Sequence, residues 1–102
     1  MSTLHTVNKS PFETQSLSSC LAHALVGSAV LMLEDGVYGA MAGASNEGAL
    51  SDAMSRCKVY VLEADVKARG LDPQRFVDGV ELVDYAGFVQ LAVDHDKVQA
   101  WL

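Results

Sequence analysis

The sequence predicts a small α/β protein with an open, mostly parallel sheet of about five strands flanked by helices. Three observations lead to this prediction: apolar runs without internal alternation, signals for the start of a helix after these runs, and the alternation of predicted strands and helices along the chain. Continuous apolar runs are typical of strands covered on both faces, as in parallel sheets. Strands that alternate with helices form right-handed crossovers between parallel neighbours. The length of 102 residues predicts one domain over residues 1–102.

The stretch Leu4–Glu13 predicts the first strand and the start of the first helix. The strand is expected at Leu4–Val7 and the helix over about Pro11–Val26. Ser10 at the cap and Glu13 three residues later have the spacing of a capping box, with proline at the first helical position.

The rest of the chain continues the alternation. Further strands are predicted at Ala29–Leu33, Lys58–Leu62, Val80–Val83 and Lys97–Leu102. Further helices are predicted at Val37–Met41, Gly48–Ser55, Ala64–Arg69 and Tyr85–Val93, with a loop at Gly43–Asn46. Gly70 is expected to end the helix before it, and Asp84 to cap the helix after it.

Composition and charge exclude several classes of protein. The net charge of −6, from 7 Lys+Arg against 13 Asp+Glu, argues against direct nucleic-acid binding, which needs a basic surface. We find neither an apolar run of membrane-spanning length nor a secretory signal, and two separated cysteines make no disulfide framework. We therefore expect a cytoplasmic protein with reduced thiols and no membrane contact. The 50% hydrophobic composition favours a buried subunit face.

Carboxylates follow several predicted strands, as Glu34, Asp35, Glu63 and Asp84 do. Such groups could hold Mg²⁺ in a signalling domain, although capping of the following helices explains them more simply. The sequence contains no glycine-rich phosphate loop, which argues against a nucleotide cofactor. We expect neither a metal site nor an organic cofactor.

Cys20 is the strongest candidate for chemistry. It lies at the border of the inward face of the first helix, and His23 is three residues on, where an imidazole could support a thiolate. From spacing alone, inert packing is favoured, because free cysteine often behaves as a small buried hydrophobe. Packing is also the better interpretation of Cys57, and His5 is expected to be partly buried with its hydrogen bonds satisfied.

The chain resembles the DsrH/TusB family of sulfur-relay subunits over nearly its whole length. The opening Leu4–Phe12, with Leu-His-Thr followed by Ser-Pro, carries the resemblance together with four later segments and Trp101. These segments are Leu31–Val37, Lys58–Leu62, Ala68–Leu71 and Val83–Val89.

The resemblance implies a DsrE/DsrF-like fold and a heterohexamer with two copies each of this chain, a DsrE/TusD-like subunit and a DsrF/TusC-like subunit. Such complexes pass persulfide sulfur to a DsrC/TusE-like carrier, and their principal cysteine belongs to the DsrE/TusD-like subunit. In this family Cys20 is typical of members from sulfur-oxidising bacteria. The resemblance therefore implies a relay that serves sulfur oxidation by a reverse-acting dissimilatory sulfite reductase, with relay for tRNA 2-thiouridine synthesis as the alternative.

Cys20 is accordingly the candidate persulfide carrier, with His23 as the support of its thiolate. A thiolate takes the outer sulfur of a donor persulfide and later yields it to a second thiolate, which needs no metal or organic cofactor. The competing hypothesis is a purely structural subunit that carries no sulfur itself.

Overall fold

The fold is a parallel sheet covered by helices on both faces. The computed structural model describes residues 2–44 and 46–102, so Ser45 of the predicted loop lies outside the described residues. Within these ranges the sheet has five strands in the order β4-β3-β2-β1-β5, and every neighbouring pair is parallel. The strands are β1 (Thr3–Val7), β2 (Ala29–Met32), β3 (Lys58–Leu62), β4 (Glu81–Val83) and β5 (Lys97–Trp101). The predicted α/β class is confirmed.

Four α-helices connect the strands in the described part of the chain. They are α1 (Ser16–His23), α2 (Glu47–Ala53), α3 (Glu63–Ala68) and α4 (Tyr85–Asp94). Two 3₁₀ helices, Glu34–Ala40 and Pro73–Arg75, complete the connections. No helix among the described residues is both long enough and apolar enough to cross a membrane.

The strand order determines how each face of the sheet is covered. Helices α1, α2 and α3 pack on the face formed by Val7, Val30, Met32 and alternate residues of β3. Strands β4 and β5 lie at opposite edges, so α4, which connects them, crosses the other face. That face presents Leu4, Ala29, Leu31 and Leu62, against which α4 packs Phe88, Leu91 and Ala92. Alternate strand residues thus enter two separate cores, as the period of a β-strand requires.

The predicted start of the first helix is wrong. Helix α1 begins at Ser16, whereas Ser10 forms a separate turn in which its Oγ accepts a hydrogen bond from the backbone N–H of Phe12 at 3.1 Å. The side chain of Thr14 then accepts a hydrogen bond from the backbone N–H of Ser16 at 3.3 Å. Ser10 and Glu13 therefore do not cap α1, because their turn closes on the carbonyl of Ser10 before the helix, which follows Gln15 without a side-chain cap.

Two other predicted helix ends are confirmed. Gly70 has φ +64° after α3, where the backbone N–H of Leu71 bonds to the carbonyl of Val66 at 3.1 Å. Asp84 caps α4, since its Oδ1 accepts a hydrogen bond from the backbone N–H of Gly87 at 2.7 Å.

Candidate functional site

Cys20 lies in the core between the sheet and helices α1, α2 and α3, and not at the surface. Its helix α1 turns Leu17, Cys20 and Leu21 toward the sheet, and the side chain of Cys20 is 0% exposed. The alternation of apolar and polar residues along α1 produces this face, as the 3.6-residue period requires. A donor persulfide therefore has no direct approach to this sulfur.

The ionisation of Cys20 agrees with its burial. Burial raises the pKa of the Cys20 thiol from 9.0 to about 12, and the neighbouring thiol of Cys57 adds to the shift. At pH 7 only about one thiol in 10⁵ is then ionised. Since the thiolate is the nucleophile in sulfur transfer, burial argues against the carrier role predicted from the sequence.

His23 contacts groups other than the thiol. Its Nδ1 lies 2.7 Å from the carbonyl oxygen of Ser19, and its ring centroid lies 5.7 Å from that of Trp101. The side chain is exposed at the end of α1, while Cys20 points into the core. The structure thus gives His23 a place beside Trp101 and does not bring it together with Cys20 as a catalytic pair.

Cys57 is the more accessible of the two thiols, although it is also buried. It is 7% exposed, and its Sγ donates to the carbonyl of Ala53 at 3.3 Å. Burial raises the pKa of the Cys57 thiol, with a smaller opposing effect from the charge of Arg56. Cys57 borders a cleft of about 470 Å³ together with Arg56, Lys58 and His95. This geometry suits packing better than nucleophilic chemistry.

Arg56, at this cleft, bonds to other groups of this chain through its guanidinium. Its Nη2 donates to the carbonyl of Leu21 at 2.9 Å and its Nε to that of Ala24 at 3.3 Å, at the end of α1. Its Nη1 forms an ion pair with Asp52 at 2.9 Å. A guanidinium at the C-terminal end of a helix satisfies carbonyls that lack helical partners. Arg56 therefore fixes α1 to α2 and leaves little capacity for a ligand.

Three of the carboxylates that follow the strands, Asp35, Glu63 and Asp84, form ion pairs or cap a backbone group. Arg69 forms an ion pair with Asp35 at 2.8 Å and a longer one with Asp65 at 3.6 Å. Asp65 also accepts the backbone N–H of Glu34, a residue with φ +50°, at 2.7 Å. Within residues 2–44 and 46–102, no group of three or more histidine, cysteine or carboxylate side chains is arranged to hold a metal ion. Support for a backbone turn thus accounts for these side chains.

The pairing of His5 with Trp101 is a feature that the sequence did not predict. Trp101 Nε1 donates to Nδ1 of His5 at 3.1 Å, across the two neighbouring strands β1 and β5. Both rings border a cleft of about 220 Å³ with His23 and Lys97. Burial lowers the pKa of His5, and the charges of Lys97 and His23 lower it further. Parallel pairing of the first and last strands brings these residues together, and local sequence carries no signal for it.

Comparisons with known proteins agree in family and in fold. The sequence profile of a family described as "DsrH like protein" matches residues 9–98. A protein named TusB from Pectobacterium parmentieri is 39% identical over 98 residues, which cover 96% of this chain and 99% of that protein. The TusB of Escherichia coli strain K12 is also 39% identical over 98 residues, with the same coverage.

Among solved structures, the ychN protein from E. coli has a TM-score of 0.82 at 18% identity and covers 98% of this chain and 99% of its own. The MTH1491 protein from Methanobacterium thermoautotrophicum has a TM-score of 0.73 at 14% identity, with 96% of each chain covered. At these identities the two structures support the fold alone.

Proposed function

Because this chain belongs to the DsrH/TusB family, we propose that it is a subunit of a cytoplasmic complex that relays persulfide sulfur. The observation that carries the proposal is the family match over residues 9–98, together with relatives that align from end to end. The sheet and its helices agree with the DsrE/DsrF-like fold that the family implies. The expected partners are a DsrE/TusD-like subunit, a DsrF/TusC-like subunit and a DsrC/TusE-like sulfur acceptor.

Within this complex we assign the chain a structural role without a sulfur-carrying cysteine. In each step of a relay, the thiolate of the acceptor attacks the outer sulfur of the donor persulfide. The new S–S bond forms on the acceptor, and the donor cysteine leaves as a thiolate. Cys20 is fully buried and its pKa is about 12, so it meets neither requirement of an attacking group. The chain then serves by shaping the assembly in which partner cysteines exchange sulfur.

Reconstitution tests this role. The DsrE/TusD-like and DsrF/TusC-like subunits of the same organism are purified with the wild-type chain, with Cys20→Ala, or with Cys57→Ala. Sulfur transfer to the DsrC/TusE-like acceptor is then followed by mass spectrometry. We expect both variants to support transfer at the wild-type rate, provided each forms the complex. Loss of transfer with an intact Cys20→Ala complex would restore Cys20 as a carrier.

The pathway that receives the sulfur is a separate part of the proposal. Relatives at about 39% identity are named TusB, and this favours the relay for tRNA 2-thiouridine synthesis over sulfur oxidation. The sulfur-oxidation prediction depended on the presence of Cys20, which the structure buries. Deletion of the gene followed by nucleoside analysis distinguishes the two pathways. Loss of 2-thiouridine supports tRNA thiolation, and unchanged 2-thiouridine with impaired sulfur oxidation contradicts it.

A further inference from the structure

We propose that the outer face of α4 is the surface through which this chain binds a different subunit, one that offers an apolar patch with a basic rim. The inference rests on the proposed function, because it names the surface and the chemistry of a partner in the relay complex. A second copy of this chain is the occupant that the charges disfavour.

The outer face of α4 carries an unpartnered apolar stripe. Tyr85, Val89 and Val93 are spaced four residues apart on one side of the helix and are 61%, 63% and 72% exposed. Phe88 and Ala92 on the inner side pack against the sheet, so the stripe is not needed for the core of this chain. Exposed apolar stripes of this kind mark surfaces that bind other proteins.

The two faces of the sheet are covered unequally. Helices α1, α2 and α3 cover one face of the five-stranded sheet among the described residues, whereas α4 is the only α-helix that covers the other. On the edge strand β5, Val98 remains 50% exposed. A partner over α4 would complete on this side the layer that three helices form on the other.

Charge determines which kind of partner fits. Residues 76–96 contain five carboxylates and no lysine or arginine. These carboxylates are Asp78, Glu81, Asp84, Asp94 and Asp96, and all are exposed; Asp78 borders a separate cleft with Met54 and Cys57. Asp84 precedes the stripe and Asp94 follows it, while Lys58, on the same cleft as Asp94, offsets part of the charge there. A partner with lysine or arginine around its apolar patch is therefore favoured.

The same charges disfavour a symmetric dimer. A twofold interface would place this acidic face against itself, because both copies contribute the same residues. Juxtaposed like charges weaken such a contact unless counter-ions enter it. A heteromeric assembly with basic partner surfaces avoids this cost, which agrees with a complex of distinct subunits.

The test compares Val89→Asp with a matched control, Val26→Asp. Val26 is 78% exposed in the turn after α1, the helix on the opposite face, so the chemical change is the same at a distant site. Each chain is mixed with the purified DsrE/TusD-like and DsrF/TusC-like subunits, and affinity is measured by calorimetry. Circular dichroism and thermal melting verify that both variants fold.

We expect Val89→Asp to weaken binding more than about tenfold, because the contact would bury an unpaired carboxylate, and Val26→Asp to bind like wild type. We also expect Glu81→Lys to slow association, and added salt to weaken the wild-type complex. Unchanged affinity of a folded Val89→Asp chain would overturn the interface assignment while leaving the relay function intact. A wild-type chain that binds neither subunit would contradict both proposals.

Binding of a second copy of this chain to the outer face of α4 would give a different result. Sedimentation of the isolated wild-type chain is expected to show a monomer at micromolar concentration. A wild-type dimer that Val89→Asp dissociates would assign the face to a second copy and overturn the inference.

Discussion

Trp101 and His5 join the last strand of the sheet to the first. The indole N–H donates to Nδ1 of His5 at 3.1 Å, and the two rings lie 6.1 Å apart between centroids. Acceptance at Nδ1 requires that this nitrogen is unprotonated, so the neutral imidazole carries its proton on Nε2. The edge strand β5 is thus held to β1 by a side-chain contact in addition to the backbone ladder.

Replacing Trp101 should loosen this edge. We expect Trp101→Phe to lower the free energy of unfolding by about 1–3 kcal/mol, since it removes the donor and leaves a smaller ring beside His5. Tyr85→Phe is the control, because Tyr85 is 61% exposed and its loss of a hydroxyl should change stability by less than about 0.5 kcal/mol. Urea unfolding measures both. Equal stability of Trp101→Phe and wild type would show that the pair contributes nothing to the fold.

His5 should make stability depend on pH in a defined direction. Burial lowers its pKa in the folded chain from 6.5, and Lys97 and His23 lower it further. The unfolded chain keeps the ordinary value and binds the proton more readily, so stability rises with pH through this range. The contribution of His5 is fully present above pH 6.5 and is lost as pH falls toward its folded pKa.

The variant His5→Gln should reduce that dependence. Glutamine retains an oxygen that can accept the indole N–H but does not titrate. Urea unfolding at a series of pH values below neutrality should therefore show a smaller loss of stability for His5→Gln than for wild type. Parallel pH profiles for the two proteins would contradict the assignment.

Cys20 should resist thiol reagents until the protein unfolds. In a Cys57→Ala chain, the raised pKa alone lowers the thiolate fraction about 10³-fold relative to a thiol of pKa 9.0, and burial blocks access as well. We expect labelling by a disulfide reagent at pH 8 to be at least 10³-fold slower than for the urea-unfolded chain. A rate within tenfold of the unfolded chain would show that the sulfur is accessible.

Gly36 should tolerate no side chain. A Cβ at this position would collide with the carbonyl oxygen of Val7, which is held by the backbone N–H of Leu33 at 3.0 Å. We expect Gly36→Ala to cost more than about 2 kcal/mol of unfolding free energy, because backbone atoms cannot move aside easily.

Gly48 is the matched control for that substitution. It lies in α2 with open space where a Cβ would be, and it is not in the left-handed region. Gly48→Ala should therefore stabilise the protein by about 0.5–1 kcal/mol. Thermal melting of both variants provides the comparison, and similar effects of the two would refute the steric argument.

Strands and the order of elements were predictable from the sequence. The run Lys58–Leu62 is apolar and β-branched, and it forms β3 with those bounds. Helix ends were predicted less well. Ser10 has the chemistry of a cap, but whether it caps a helix or a separate turn depends on how the chain leaves β1, which local spacing does not encode.

The state of Cys20 could not be obtained from spacing. A border position on a helix face becomes buried or exposed according to what packs beside it, and α2 with Arg56 closes that side of α1. The helix predicted at Tyr85–Val93 is confirmed as α4, and Phe88 and Ala92 are among its residues that pack on the sheet. Tyr85 and Val89 are exposed. The sequence could not predict this, because periodicity does not distinguish an apolar face that packs on its own sheet from one that lies at the surface.

We propose that this chain organises a sulfur relay without carrying sulfur. The most direct measurement is mass spectrometry of the co-purified complex after loading with a persulfide donor, with each cysteine assigned by peptide. We expect an added sulfur atom on cysteines of the partner subunits and none on Cys20 or Cys57, which are buried and have raised pKa values. An added sulfur on Cys20 in the folded complex would contradict it.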